Sequence, residues 1–417
     1  MLEIKNLRFS YKSGDLIFDG ADLKIDKGCY FIGGANGSGK TTLIRILTKL
    51  AQNLYKCEMS GEIYLNGKKD FKPVVVSQNI DSCVLYDTAY EEIRFFSLNS
   101  DFIFRNPDDF FKSWKLEDFK TKNTNKLSYG EKQKYLISVA LSFLNRDNII
   151  CLDEPFAFLD DENVLYIKNL IKKLKNEFIV LFFGHNQDEV FDIADSFFVI
   201  KNKKIIPLDY KDTKIEIKKS FKYKNRNNTV LKCEGISHNY MRKKISFEIK
   251  SGELKVLYAP NGSGKTTLVK ILSGICEDYS GSLYLKGSKA NRSALLESVF
   301  CVLSNPDAQL IARTVREFLG NDNFYLELLK RVGLESKMDC YISHLSYGEK
   351  QKLLILYSIF KKKDLIIIDE PFMSFDYETE VSILNLIDEY LKNEGSVIIS
   401  TPKRNFFDYL DCDIIDL

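Results

Sequence analysis

Three short motifs occur twice in this chain, in the same order. NGSGKTTL occupies residues 36–43 and again 261–268. LSYGEKQK occupies 127–134 and 345–352, and LDEPF at 152–156 is matched by IDEPF at 368–372. The copies keep nearly constant offsets, so that Lys40 answers to Lys265, Ser128 to Ser346 and Asp153 to Asp369. A single long period of this kind signals a duplicated domain rather than a solenoid of short repeats. At 417 residues the chain is long enough for two domains that each bury a core. The first is expected over residues 1–209 and the second over 229–417. Residues 210–228, rich in Lys and Asn with no apolar period, read as a linker. The strand expected at 413–417 answers to one expected at 196–200, so no extra C-terminal domain is anticipated.

Each half reads alike. A strand (29–33; 254–258) enters a glycine-rich loop, and a helix (40–50; 265–272) leaves it. A second helix follows each LSYGE. An apolar, β-rich run (148–152; 365–368) then carries Asp-Glu at its C-terminal end. Strands alternating with helices predict an α/β fold, with a mostly parallel sheet covered on both faces.

Composition narrows the partners. The formal net charge is +2, so no broad basic face for nucleic acid is expected. Nine cysteines without C-x-x-C spacing argue against zinc or iron–sulfur and suit a reducing cytoplasm. The N-terminus MLEIKNLRFSY lacks the apolar core of a signal peptide. No apolar run approaches the ~18 residues of a membrane span, so any membrane role is expected to be peripheral, at the cytoplasmic face.

The chemistry sits in the repeated motifs. Residues 34–41 satisfy G-x-x-x-x-G-K-[ST] in full: Gly34, Ala35, Asn36, Gly37, Ser38, Gly39, Lys40, Thr41, with Thr42 following. Such a loop turns backbone N–H groups inward around phosphate, and the helix behind it adds its positive end. Lys40 is expected to reach the β- and γ-phosphates and Thr41 to bind Mg²⁺. The second copy is Ala259, Pro260, Asn261, Gly262, Ser263, Gly264, Lys265, Thr266, Thr267. Its first glycine is replaced by Ala259, which is tolerable where φ stays negative. Asp153 and Asp369, ending buried-looking strands, suit a Mg²⁺ shell. Glu154 and Glu370, one residue on, suit orienting or deprotonating an attacking water. Tyr11 and Tyr240 lie upstream of the two loops; from spacing alone, core packing is the simpler account of either.

Taken together, P-loops paired with residues 127–131 and 345–349 resemble the ATP-binding-cassette (ABC) superfamily over nearly the whole chain. The repeated Leu-Ser-Tyr-Gly-Glu is similar to that family's Leu-Ser-Gly-Gly-Gln signature. The resemblance implies two tandem ABC-type P-loop NTPase domains, each with a small helical subdomain carrying the signature. It implies ATP and Mg²⁺ as cofactors, and an intramolecular head-to-tail dimer of the two halves. In that arrangement Ser346 and Gly348 would close the first ATP site, and Ser128 and Gly130 the second. A linker of roughly 20 residues, extended, spans up to ~65 Å, ample for such docking. The family also places Tyr11 and Tyr240 against adenine, Gln78 between Mg²⁺ and water, and His185 against the γ-phosphate.

Residues 305–310, Asn-Pro-Asp-Ala-Gln-Leu, resemble a stretch in the ATPases of energy-coupling factor (ECF) transporters, which import vitamins or cobalt and nickel ions. That resemblance implies integral membrane coupling subunits as partners, docking around residues 79–87 and 305–314, and no direct contact with the transported substrate. An ATPase of a conventional ABC transporter is the alternative. A ribosome-associated ABC-F protein fits less well, because the linker is short and the net charge near zero. The two halves also differ: Ser304 stands where glutamine is expected, and Pro402 stands where the first half has His185. The second site is therefore expected to hydrolyse ATP slowly.

Overall fold

The computed structural model describes every residue except 13, 36, 78–82, 100, 125–126, 128, 145–148, 157–158, 186, 209–218, 221–227, 321–322, 373–374, 376 and 404–409. The chain forms two compact units, Met1–Lys214 and Ile215–Leu417. Of the segment expected to be a linker, Lys219–Ser220 forms a short strand paired in parallel with Leu410–Asp411. Most of its other residues lie outside the described ones.

In the first unit a six-stranded sheet runs in the order Val74–Val76, Ile149–Asp153, Ile179–Phe183, Gly28–Gly33, Ser196–Lys201, Lys204–Pro207. The first five strands are parallel and the last is antiparallel. The runs IICLD and IVLFF are buried along their whole length, as expected of strands covered on both faces. Alternate side chains go to different cores. Cys151, Leu181 and Phe183 pack under the helix Lys40–Leu47 with Leu43 and Ile46. Ile150, Val180 and Phe182 pack on the other face with Ile137, Ile167 and Ile171 of the helices Tyr129–Leu141 and Asp161–Leu174.

The second unit repeats this with five parallel strands in the order Val299–Val302, Leu365–Asp369, Ser396–Thr401, Leu254–Tyr258, Asp413–Asp416. Here Leu257 and Ile367 face the helix Lys265–Leu272, while Val256 and Ile368 face the helices Tyr347–Phe360 and Tyr377–Lys392.

Two features depart from the sequence reading. Each unit opens with an antiparallel sheet not anticipated above: Leu16–Ile25, Leu2–Tyr11 and Cys57–Leu65 in the first unit, and a four-stranded one around Thr229–Ser237 in the second. The helix expected over 40–50 stops at Leu47. Thr48 turns its hydroxyl back to the Ile44 carbonyl, and Lys49 adopts φ 60 before a second short helix, Leu50–Leu54.

The signature helix Tyr347–Phe360 begins with a full capping box. The Ser346 hydroxyl accepts from the Glu349 N–H, and the Glu349 carboxylate accepts from the Ser346 N–H at 2.8 Å. Glutamate at the fifth signature position thus helps cap this helix. Burial pushes the Glu349 carboxyl up, but the Ser346 N–H and Lys337 outweigh it and hold it below its ordinary 4.5. A lowered folded-state value stabilises above the unfolded one and is lost as pH falls through the folded one. Glu349→Ala should therefore cost about 1 kcal/mol in urea unfolding at pH 7, and the gap to wild type should close as pH falls below the ordinary 4.5.

Candidate phosphate-binding and acid-pair sites

Parallel strands bring the motifs together at their C-terminal ends, where such sheets bind ligands. In the first unit the loop after Gly28–Gly33 turns on Gly37 (φ 77) and Gly39 (φ 110) into the helix that starts at Lys40. Gly39 must lack a side chain: a Cβ there would meet Ile17 at 2.8 Å. The Lys40 ammonium donates to the carbonyls of Gly34 (2.6 Å) and Ala35 (3.3 Å). In the second unit Lys265 does the same to Ala259 (2.8 Å) and Pro260 (3.0 Å). Ala259 is buried and stays outside the positive-φ region, so the missing glycine leaves the loop's form intact. The hydroxyls of Ser38 and Ser263 are buried without a hydrogen-bond partner among the described residues. An unpaired buried hydroxyl is costly, and phosphate oxygens cradled by these loops would satisfy both. The residues present therefore fit a nucleotide's phosphates.

The next two strands supply the acids. Asp153 and Asp369 are the last residues of Ile149–Asp153 and Leu365–Asp369, and both are buried. Glu154 and Glu370 follow with φ 49 and φ 53, a left-handed backbone that L-residues rarely adopt. The Glu154 N–H donates to the Phe183 carbonyl (2.9 Å) and the Glu370 N–H to the Ser400 carbonyl (3.0 Å). Such strain concentrates at functional sites. Burial first, then the neighbouring Glu154 charge, pushes the Asp153 carboxyl up to about 7, against the pull of Lys40, His185 and Thr41. Burial and Asp369 likewise push Glu370 up, against Lys265.

Beyond the acids the units diverge. In the first, His185 Nε2 lies 2.9 Å from Glu154 Oε1 and its Nδ1 lies 3.4 Å from the Lys40 ammonium. A ring with its hydrogen on Nε2 donates to Glu154 and leaves Nδ1 to accept from Lys40. The second unit has no such bridge among its described residues. There the Thr266 hydroxyl donates to Asp369 Oδ2 (2.8 Å), as Thr41 bears on Asp153, while the Ser400 hydroxyl donates to Asp369 Oδ1 and Lys265 sits 3.7 Å from Glu370. Ser400, missed in the sequence reading, lies directly opposite Asp369 in register, where the first unit pairs Asp153 with Phe183. Ser304 offers its carbonyl to the Tyr347 hydroxyl.

The two tyrosines also differ. Tyr240 is 74% exposed, beside the second phosphate loop, where its carbonyl crowds Gly264. Tyr11 meets Phe9 and Tyr55 edge-on at 5.1 and 5.5 Å, and its hydroxyl accepts from Arg45 (3.5 Å). Of the other expected site residues, Gly130, Ser346 and Gly348 lie at the starts of the signature helices. Thr42 is buried, and Asn261, Gly262 and Thr267 sit in the second loop and first helical turn. Asn36, Gln78 and Ser128 lie outside the described residues.

The ABC transporter family profile matches residues 18–157 and 242–373, spanning both phosphate loops and both acid pairs. The chain belongs to the ABC transporter family. Two ABC ATPase domains in tandem make it an ATP-binding protein and an ATPase. It is 27% identical to a protein of Methanosarcina mazei assigned as an ABC transporter ATP-binding protein, covering 96% of this chain and 89% of the relative. It is 26% identical to the ribose import ATP-binding protein of Clostridium tetani, over 95% and 88%. Among solved structures, an RNase-L inhibitor superposes with a TM-score of 0.69 at 21% identity, over 99% of this chain and 87% of that one, which speaks to fold alone.

Proposed function

We propose that this ABC ATPase powers a membrane transporter of the ECF type, importing a vitamin or metal ion. The observation that carries the membrane partner is an open groove of about 430 Å³ on the first unit, lined by Leu85, Tyr86, Glu91, Arg94, Phe95 and Leu98. Leu98 is 82% exposed and Phe95 half exposed, and the Tyr86 and Phe95 rings lie 5.5 Å apart. Exposed apolar surface rimmed by charge marks docking sites. Among the described residues no helix is long and apolar enough to cross a membrane, so the transport path would belong to partners.

In the second unit most of residues 305–310 serve the local fold. Asn305 caps a turn, Pro306 and Leu310 are buried, and Gln309 bonds the Leu303 N–H and the Cys301 carbonyl. Asp307 pairs with Lys350 at 2.6 Å. The neighbouring Ile311, 96% exposed, is the better docking candidate. A conventional importer is the second reading, favoured by the ribose import relative.

In this reading Lys40 and Lys265 hold phosphates, Tyr11 and Tyr240 face adenine, and the two halves close head to tail on two ATP molecules. Thr41 with Asp153, and Thr266 with Asp369, would hold Mg²⁺, which neutralises charge on the leaving phosphates. Glu154 orients the attacking water and His185 contacts the γ-phosphate.

The test is affinity purification from detergent-solubilised membranes. Multi-span membrane proteins should co-purify with wild type and be lost with Leu98→Asp plus Ile311→Asp, while basal ATPase persists. Recovery of ribosomes instead, or unchanged membrane capture by that variant, would contradict the reading.

A further inference from the structure

The signature helices carry glutamine at equivalent places, Gln133 and Gln351, and the two face different partners. Gln133 is 2% exposed and its Nε2 donates to the carbonyl of Pro155, with the Glu154 carbonyl at 3.4 Å. Gln351 is fully buried and its Nε2 reaches the carbonyls of Leu303 (3.3 Å) and Ser304 (3.4 Å) and the Tyr347 hydroxyl (3.3 Å). Neither glutamine's Oε1 has a partner among the described residues. A buried amide that leaves its acceptor unpaired gives up hydrogen bonding, so its placement has to be justified by what its donor end holds.

In the first unit that end holds two successive carbonyls, that of a strained residue and that of the proline after it. Glu154 sits at φ 49, a conformation that costs on the order of 1–3 kcal/mol for an L-residue. Its N–H is tied to Phe183, its carboxylate to His185, and its carbonyl and the next to Gln133. Glu370 has the same strain at φ 53, but Gln351 is turned away from it toward the loop after Val299–Val302.

We propose that Gln133 is a positioning residue for hydrolysis, fixing the backbone of Glu154 so that its carboxylate points at the attacking water, and that the second unit lacks this device. The proposal rests on Glu154 being the water-orienting group. Small misplacements of a reacting group cost large factors in rate. Gln133→Leu keeps the volume and removes the donor, and Gln133→Met serves if the leucine variant folds poorly.

The experiment is rapid-quench single-turnover ATP hydrolysis on the full chain, with ATP affinity measured in parallel. Four variants are compared: Gln133→Leu, Glu154→Gln, the two combined, and Gln351→Leu. The expected result is a chemical step slowed at least about tenfold by Gln133→Leu, with ATP affinity within about twofold of wild type. In the Glu154→Gln background, Gln133→Leu should slow nothing further, because the glutamine acts through that carboxylate. Gln351→Leu should leave the fast phase in place. A slowing that multiplies with Glu154→Gln, a parallel loss of ATP affinity, an equal effect of Gln351→Leu or no slowing would each overturn the proposal. Retention of the fast phase by Glu154→Gln alone would instead show that the reading of Glu154 is wrong, whatever Gln133→Leu does.

Discussion

Glu154→Gln should abolish nearly all steady-state ATP turnover, while Glu370→Gln should remove only a minor part and leave ATP binding intact. The two carboxylates share a strand end and a left-handed backbone, yet their surroundings differ. Glu154 is oriented through His185, which also contacts Lys40. Glu370 has Lys265 at 3.7 Å, Pro402 where the histidine would be, and Ser304 where glutamine is expected. Proline has no side-chain donor and carries no proton. Losing one oriented transition-state contact costs ~10²–10³ in rate, so a site lacking two contributes little to turnover. Steady-state phosphate release from each variant, with ATP saturating, checks this. Equal losses would refute the asymmetry.

His185→Ala should slow the chemical step of the first site by ~10²–10³ and change ATP affinity little. The ring joins the two groups expected to flank the γ-phosphate, Glu154 on one nitrogen and Lys40 on the other. Removing it takes away the ring that orients the Glu154 carboxylate; in the second unit, where proline replaces the histidine, Lys265 sits 3.7 Å from Glu370. An effect confined to KM would mean that the histidine only helps binding. His185→Gln should recover part of the rate, since an amide offers both a donor and an acceptor.

The phosphate loops, acid pairs and duplicated α/β fold were legible because each is written in contiguous residues whose chemistry is local. Cross-strand relations were not. Ser400 faces Asp369 only through the register of two parallel strands, and no spacing rule distinguishes it from Ile398 or Ile399 beside it. The divergent roles of Gln133 and Gln351 were hidden for a stronger reason: they occupy the same position of an identical motif, LSYGEKQK, and differ only in which loop reaches them. The early helix stop at Leu47 depended on Thr48 and Lys49, neither a strong breaker in sequence. The residues 305–310, by contrast, carried a family likeness in sequence, while in the structure Pro306, Gln309 and Leu310 spend it on packing and strand bonds.

The most direct test of unequal sites is the nucleotide content of the chain after one round of hydrolysis. The protein is loaded with labelled ATP, started with Mg²⁺, quenched over time, and its ATP and ADP are counted per chain. The account predicts a fast phase that converts one ATP per chain, leaving the second as ATP through that phase. Two ATP hydrolysed per chain in a single phase of one rate would contradict it.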